Sequence, residues 1–193
     1  MSLLRAFIAV EIPQEIHKAI ENETAPLRAA LNKSLVRWVP TDNMHLTLKF
    51  LGDVSPTNLE MLEQMLSVEV SQHRAFELRF GGLGAFPNPK RPRVIWIGIQ
   101  APAGLEALQH CIEAAAATLG YPNEKRPFSP HLTVGRVKQK VGSAGMQKIR
   151  AVLEETKIGS LGTTQVTAVH LFKSDLKPTG AEYTRLFSAP LKN

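Results

Sequence analysis

The chain has 193 residues, 44% hydrophobic and 21% charged, with a formal charge of +6 at neutral pH. That length suffices for one ordinary domain or two small lobes around a real core, and the basic balance, with a pI near 9.6, favours an anionic partner. A single cysteine, Cys111, excludes an intrachain disulfide and a cysteine-based metal cluster, and no stretch approaches the roughly 20 apolar residues of a membrane span.

The opening MSLLRAFIAVEIP has too short an apolar run for a signal peptide and meets Glu11 and Pro13 at once, so a soluble, cytoplasmic protein is expected. Arg5 to Ile12 reads as a buried strand. Gln14 to Leu31 carries Ile16, Ile20 and Leu27 at helical spacing, with Pro26 as a kink or break. Leu35 to Val39 is a short strand, and Asn43 to Leu51 another, ended by Gly52. Ser55 and Pro56 suit the N-cap and first position of a helix bearing Leu59, Leu62, Met65 and Leu66 on one side. Phe76 to Phe80 and Arg93 to Ile99 read as strands around a loop, GGLGAFPNPKRP. Pro102 to Leu119 is helical and contains Cys111, which reads as packing. His131 to Val137 is a strand and Ser143 to Glu155 a helix. Gln165 to Ser174 and Tyr183 to Ala189 close the chain as strands joined by a turn around Pro178-Thr179-Gly180.

One tripeptide occurs twice within these strands: His45-Leu46-Thr47 and His131-Leu132-Thr133. Strand side chains alternate between faces. Each copy therefore presents an imidazole and a hydroxyl on one face, with Leu46 and Leu48, or Leu132 and Val134, on the other. Two such strands facing each other would set two imidazoles and two hydroxyls around one small ligand. That constellation suits phosphate ester chemistry, with one His as base, one as acid, and hydroxyls on the phosphoryl oxygens. Each motif strand has a Pro-containing approach and is followed by a helix and then strands, which suggests a structural duplication. The expected fold is α+β: two pseudo-symmetric lobes, each an antiparallel sheet covered by helices, with a groove between them. Residues 1–193 are expected to form one bilobal domain with one motif per lobe.

Several stretches resemble, in order, those of the two-histidine (2H) phosphoesterase superfamily, in its RNA 2′,3′-cyclic phosphodiesterase branch, also called 2′–5′ RNA ligase (ThpR/LigT). They are RAFIAVEIP, NMHLTLKFLGDV, GGLGAFPNPKRPRVIWIGI, FSPHLTVGRV and LFKSDLKPTGAEYTRL. The resemblance implies a catalytic pair at His45 and His131 and phosphate-binding hydroxyls at Thr47 and Thr133. It implies a metal-independent, cofactor-free hydrolase in RNA processing that opens a terminal 2′,3′-cyclic phosphate to a 2′-phosphomonoester. His45 would protonate the departing 3′ oxygen and His131 would activate water, and the reverse chemistry would give 2′–5′ ligation without ATP. The duplicate halves differ after the motif, with Lys49 opposite Gly135 and Phe50 opposite Arg136. Arg136 could add a guanidinium to the phosphate site if the strand ends there.

A zinc site would need more ligands than two His without an adjacent carboxylate or Cys, so no metal is expected. GGLGAF opens no helix, which argues against a dinucleotide site. Lys90, Arg91 and Arg93 are candidates for RNA phosphate contacts. Of the aromatic candidates for stacking on a terminal base, Trp96 in VIWIGI reads as core, Trp38 stays open, and Phe128 is the better one. RNA ends or cyclic nucleotides are the expected substrates of a monomer with no membrane partner. The alternative is a non-catalytic module that holds a nucleotide or RNA end in the same groove.

Overall fold

In the computed structural model, residues 3–177 and 180–193 are described. Nine strands and four α-helices are present among them: β1 (Leu4–Glu11), α1 (Gln14–Ala30), β2 (Val36–Trp38), β3 (His45–Val54), α2 (Pro56–Ser71), β4 (Phe76–Phe86), β5 (Val94–Gln100), α3 (Ala103–Thr118), β6 (His131–Val137), α4 (Ser143–Glu155), β7 (Ser160–Val166), β8 (Ala168–Lys177) and β9 (Gly180–Pro190). They form two sheets, β3-β1-β8-β9 and β2-β6-β5-β4-β7, with antiparallel neighbours throughout. The α+β fold with two antiparallel sheets follows the sequence reading.

The connections make the duplication visible. β1 lies between β3 and β8 just as β5 lies between β6 and β4. The first motif strand, β3, is thus the counterpart of the second, β6. Helices α2 and α3 pack on the first sheet and on each other, and α1 packs against β7 of the second sheet and against α4. One continuous core takes Ile8, Leu46, Leu62 and Leu105 from the first side and Ile20, Ile97, Leu132 and Ile149 from the second. Leu46 and Leu132, the central residues of the two motifs, are 1% and 0% exposed. Burying each leucine is worth about 1.5–3 kcal/mol, which fixes the faces of both motif strands.

Several boundaries differ from the sequence reading. Helix α1 runs through Pro26, because Ile20, Thr24 and Leu27 are buried on both sides of it and hold the helix together. Strand β3 continues past Gly52, which sits at φ +73° beside a register shift and bends the strand without ending it. GGLGAF is strand and not loop: β4 extends to Phe86. A Cβ at Gly84 would lie inside the Trp96 indole, so the glycine admits a close neighbour across the sheet. The final strand pair is three strands, with Thr167 separating β7 from β8. Ser55 occupies the N-cap of α2, but its hydroxyl meets Thr57 and caps no backbone N–H. Of the expected turn, Pro178 and Thr179 lie outside the described residues, and Gly180 begins β9.

Candidate active site

Both motifs begin their strands. His45 opens β3 in the first sheet and His131 opens β6 in the second. Each imidazole bonds through Nδ1 to a backbone carbonyl two residues earlier: His45 to Asn43 O at 3.0 Å, His131 to Ser129 O at 2.7 Å. A carbonyl only accepts, so Nδ1 carries the proton in both rings and Nε2 is left for other chemistry. The chain before His45 is itself anchored, since His17 Nε2 bonds Met44 O at 3.2 Å and Asn43 Nδ2 donates to Ala181 O at 2.8 Å.

A β-bulge follows each motif at the same point. Thr47 pairs with Ala9 and Lys49 with Ile8, leaving Leu48 without a partner. Thr133 pairs with Trp96 and Gly135 with Ile95, leaving Val134 without one. An extra residue reverses the alternation of side chains beyond it. Lys49, which strict alternation would put on the His45 face, is instead buried at 3% exposure, where its Nζ meets Glu113 Oε2 and Pro122 O, both at 2.6 Å. Phe50 and Arg136 turn onto the imidazole face. Arg136 therefore reaches that face through a bulge within the strand, and not because the strand ends. In the second half β2 pairs alongside β6 with Trp38 opposite Gly135, and a Cβ at Gly135 would meet Val36 and Trp38 at 2.8–2.9 Å. That crowding is why no long side chain stands opposite Lys49.

The imidazole face of the first sheet carries a small second cluster of Phe7, Ala9 and Phe172, with Tyr183 packed against it. Phe7 stacks on His45 at 4.5 Å between ring centroids and Tyr183 stands edge-on at 5.1 Å. In the second sheet, Phe86 stands edge-on to His131 at 4.9 Å and packs against Trp96 at 5.3 Å. These rings displace water. Burial pushes His45 down to about 4, against the opposing pull of the Asn43 carbonyl. Burial also lowers His131, with the Ser129 carbonyl opposing and the Arg136 charge adding to the fall. Burial raises Tyr183, and Arg136 draws it back. Arg136, from the second sheet, thus acts on His131 beside it and on Tyr183, which touches His45. Strands β3 and β6 also approach each other directly. Thr47 and Thr133 are half-buried on the same two strands as His45 and His131.

The other candidates are placed less centrally. Lys90, Arg91 and Arg93 are exposed on the hairpin between β4 and β5, whose base holds Phe86 against His131. Phe128 is half-buried and packs against the main core. Trp38 donates its Nε1–H to Leu31 O and lies under the Arg28 guanidinium. Trp96 is no core residue: it pairs across the strands with Thr133 on the His131 side. His170 is buried, bonded to Ser188 and 3.7 Å from Glu11. Phe7, Phe86 and Tyr183 were not singled out by sequence. Phe7 lies inside the unbroken apolar run from Ala6 to Val10, which reads as core and gives no separate signal. Among the described residues, no group of three or more His, Cys, Asp or Glu is arranged to hold a metal ion, and no helix is long and apolar enough to cross a membrane.

Comparison with known proteins agrees with this duplication. The sequence model of the family "LigT like Phosphoesterase" matches twice, over residues 10–96 and 97–183, with one His-Leu-Thr motif in each half. The RNA 2′,3′-cyclic phosphodiesterase of Methanothermobacter thermautotrophicus is 33% identical over 181 residues, covering 94% of this chain and 95% of its own. That of Archaeoglobus fulgidus is 34% identical over 183 residues, covering 95% and 98%. Among solved structures, E. coli LigT complexed with 3′-AMP superposes with a TM-score of 0.74 at 29% identity over 99% of both chains. The protein TT0787 of Thermus thermophilus does so with a TM-score of 0.81 at 27% identity, over 98% of this chain and 99% of its own. With both halves matched and the two-sheet fold shared, the chain belongs to the LigT-like phosphoesterase family.

Proposed function

We propose that this protein hydrolyses RNA-terminal 2′,3′-cyclic phosphates to 2′-phosphomonoesters by general acid–base catalysis between His45 and His131, working as one bilobal unit. The observation that carries this reading is the matched anchoring of the two imidazoles, each held through Nδ1 by a backbone carbonyl. Each Nε2 can then take a proton when neutral or give one when protonated. Relatives named for this activity over nearly the full chain support the substrate class.

In the forward step His131 Nε2 removes a proton from water as its oxygen bonds to phosphorus. The bond from phosphorus to the 3′ oxygen breaks, and His45 gives that oxygen a proton. Thr47 and Thr133 donate to the non-bridging oxygens, and Arg136 adds positive charge from the second sheet. In the free protein His45 is mostly neutral at pH 7. The acid role therefore relies on the bound phosphodiester anion, which favours the charged imidazole. Reversal of related chemistry would join a 2′ end to a 5′ end without ATP.

The test is product identification. Pure protein is incubated with a 2′,3′-cyclic nucleotide and a cyclic-phosphate-ended oligonucleotide, and 2′-phosphates are expected. Binding without turnover would favour the non-catalytic module. A nitrophenyl phosphodiester, whose leaving group needs little protonation, should partly restore His45→Ala and not His131→Ala. The opposite pattern would exchange the two roles.

A further inference from the structure

The cations of this chain are unevenly placed. Segments 31–38, 86–94 and 135–143 hold eight of its 23 Lys and Arg and none of its 17 Asp and Glu, which leaves the rest of the chain with 15 against 17. The fold brings the three segments together at one end of the second sheet. Arg37 pairs with Arg136 across β2 and β6, and Val94 pairs with Arg136 on its other side. Lys138 N–H donates to Leu35 O and Val137 N–H to Arg93 O, both at 2.9 Å. The hairpin that carries Lys90 and Arg91 projects from this same end, and Lys140 follows β6 in the loop to α4. All eight cations are exposed, and none of them takes part in the ion pairs among the described residues. Like charges directly opposed on neighbouring strands destabilise a sheet, and no carboxylate offsets Arg37 against Arg136.

We propose that this end of the second sheet is a track for the RNA backbone, holding the phosphodiesters of the nucleotides that precede the reacting end. This rests on the phosphate-site reading above. On its open face β6 runs His131, Thr133 and Arg136, and the ladder continues to Lys138, two residues on and so on the same face. Arg37 stands beside them. From Thr133 to Lys138 the strand advances roughly 15 Å, room for about two or three nucleotides. A cyclic phosphate closes the 3′ end of a strand, so the rest of the RNA leaves on the 5′ side alone, and the acid-free end of the sheet receives it. Cations that meet phosphates read no bases. The track would therefore select polynucleotides over mononucleotides without regard to sequence.

The triple variant Arg37→Gln/Lys138→Gln/Lys140→Gln alters exposed side chains outside the chemistry. On a cyclic-phosphate-ended tetranucleotide it should raise KM and leave kcat, lowering kcat/KM by roughly 10- to 100-fold in about 0.1 M salt. The slope of log kcat/KM against log salt should shrink by about 2, since each phosphate contact on a single strand contributes about 0.7. Cleavage of a 2′,3′-cyclic mononucleotide should be unchanged, and Arg37→Lys, which keeps the charge, should retain activity on the tetranucleotide. Wild type that gains nothing from mononucleotide to tetranucleotide, or a triple variant that loses equally on both, would overturn the proposal. A second arm does not depend on turnover. By fluorescence anisotropy, a labelled 2′-phosphate-ended tetranucleotide should bind the triple variant more weakly, with the same change in salt slope, whereas equal affinity would overturn the track. Wild type that binds this oligonucleotide through the three cations but turns over neither substrate would sink the hydrolase reading alone.

Discussion

Lys49→Met should damage this protein more than any surface lysine substitution, although Lys49 touches no part of the imidazole face. Its side chain is 2% exposed and Glu113's is 11%. Nζ serves both Glu113 Oε2 and Pro122 O, and the same carboxylate oxygen accepts the Glu124 N–H at 3.1 Å. Methionine fills a similar volume but leaves the carboxylate buried with that single N–H and the Pro122 carbonyl without its donor. Removing one partner of a buried pair costs about 3–5 kcal/mol, which for a chain of this size lowers the melting temperature by roughly 6–20 °C. Pro122 and Glu124 belong to the crossover from α3, on the first sheet, to β6, which carries His131. Loosening it should therefore also lower kcat/KM on cyclic-phosphate-ended RNA by roughly 10- to 100-fold, as small misplacements of a catalytic group do. Differential scanning calorimetry and steady-state kinetics at about 25 °C measure the two effects. The double variant Lys49→Met/Glu113→Leu should recover at least about half of the lost stability, because it removes the unpaired charge. A single variant melting within about 2 °C of wild type, or a double variant no better than the single, would refute this account of the pair.

Thr47→Ala and Thr133→Ala should each lower turnover by roughly 10- to 10³-fold, as loss of a transition-state donor does; full turnover in either would assign that hydroxyl to the fold. Activity in excess chelator should equal the control, since both imidazoles are given proton-transfer roles, and restoration by added zinc after a loss would move the site to metal chemistry. The rate against pH should be bell-shaped in kcat/KM. Because His45 lies near 4 and His131 below 6.5 in the free protein, its maximum should lie below pH 6.5 whichever ring is the acid; a maximum above 7 would contradict the effect of burial. The same depression makes the fold sensitive to acid. Between pH 6.5 and about 4 the unfolded His45 binds a proton that the folded one refuses, so stability falls as pH falls. This slope should be shallower in His45→Gln, and an unchanged slope would show that His45 does not contribute to it.

The sequence by itself determined the features that rest on local periodicity. The paired His-Leu-Thr motifs, the limits of β6 and α4, and the burial of Leu46 and Leu132 follow from alternation and helical spacing, which act over a few residues. The α+β class and the duplication also follow, because the same element order recurs around both motifs. What depended on a neighbouring strand was not legible. The bulges at Leu48 and Val134 exist only in the pairing with β1 and β5. They send Lys49 to Glu113 and bring Phe50 and Arg136 to the imidazole face, against strict alternation. GGLGAF reads as a loop on composition, yet its pairing with β5 makes it strand, with the Trp96 indole laid over Gly84. Trp96 itself sits in an apolar run that suggests core, and its pairing with Thr133 puts it beside the site. Register is a property of two strands together, so a single strand's residues could not settle which side chains share a face.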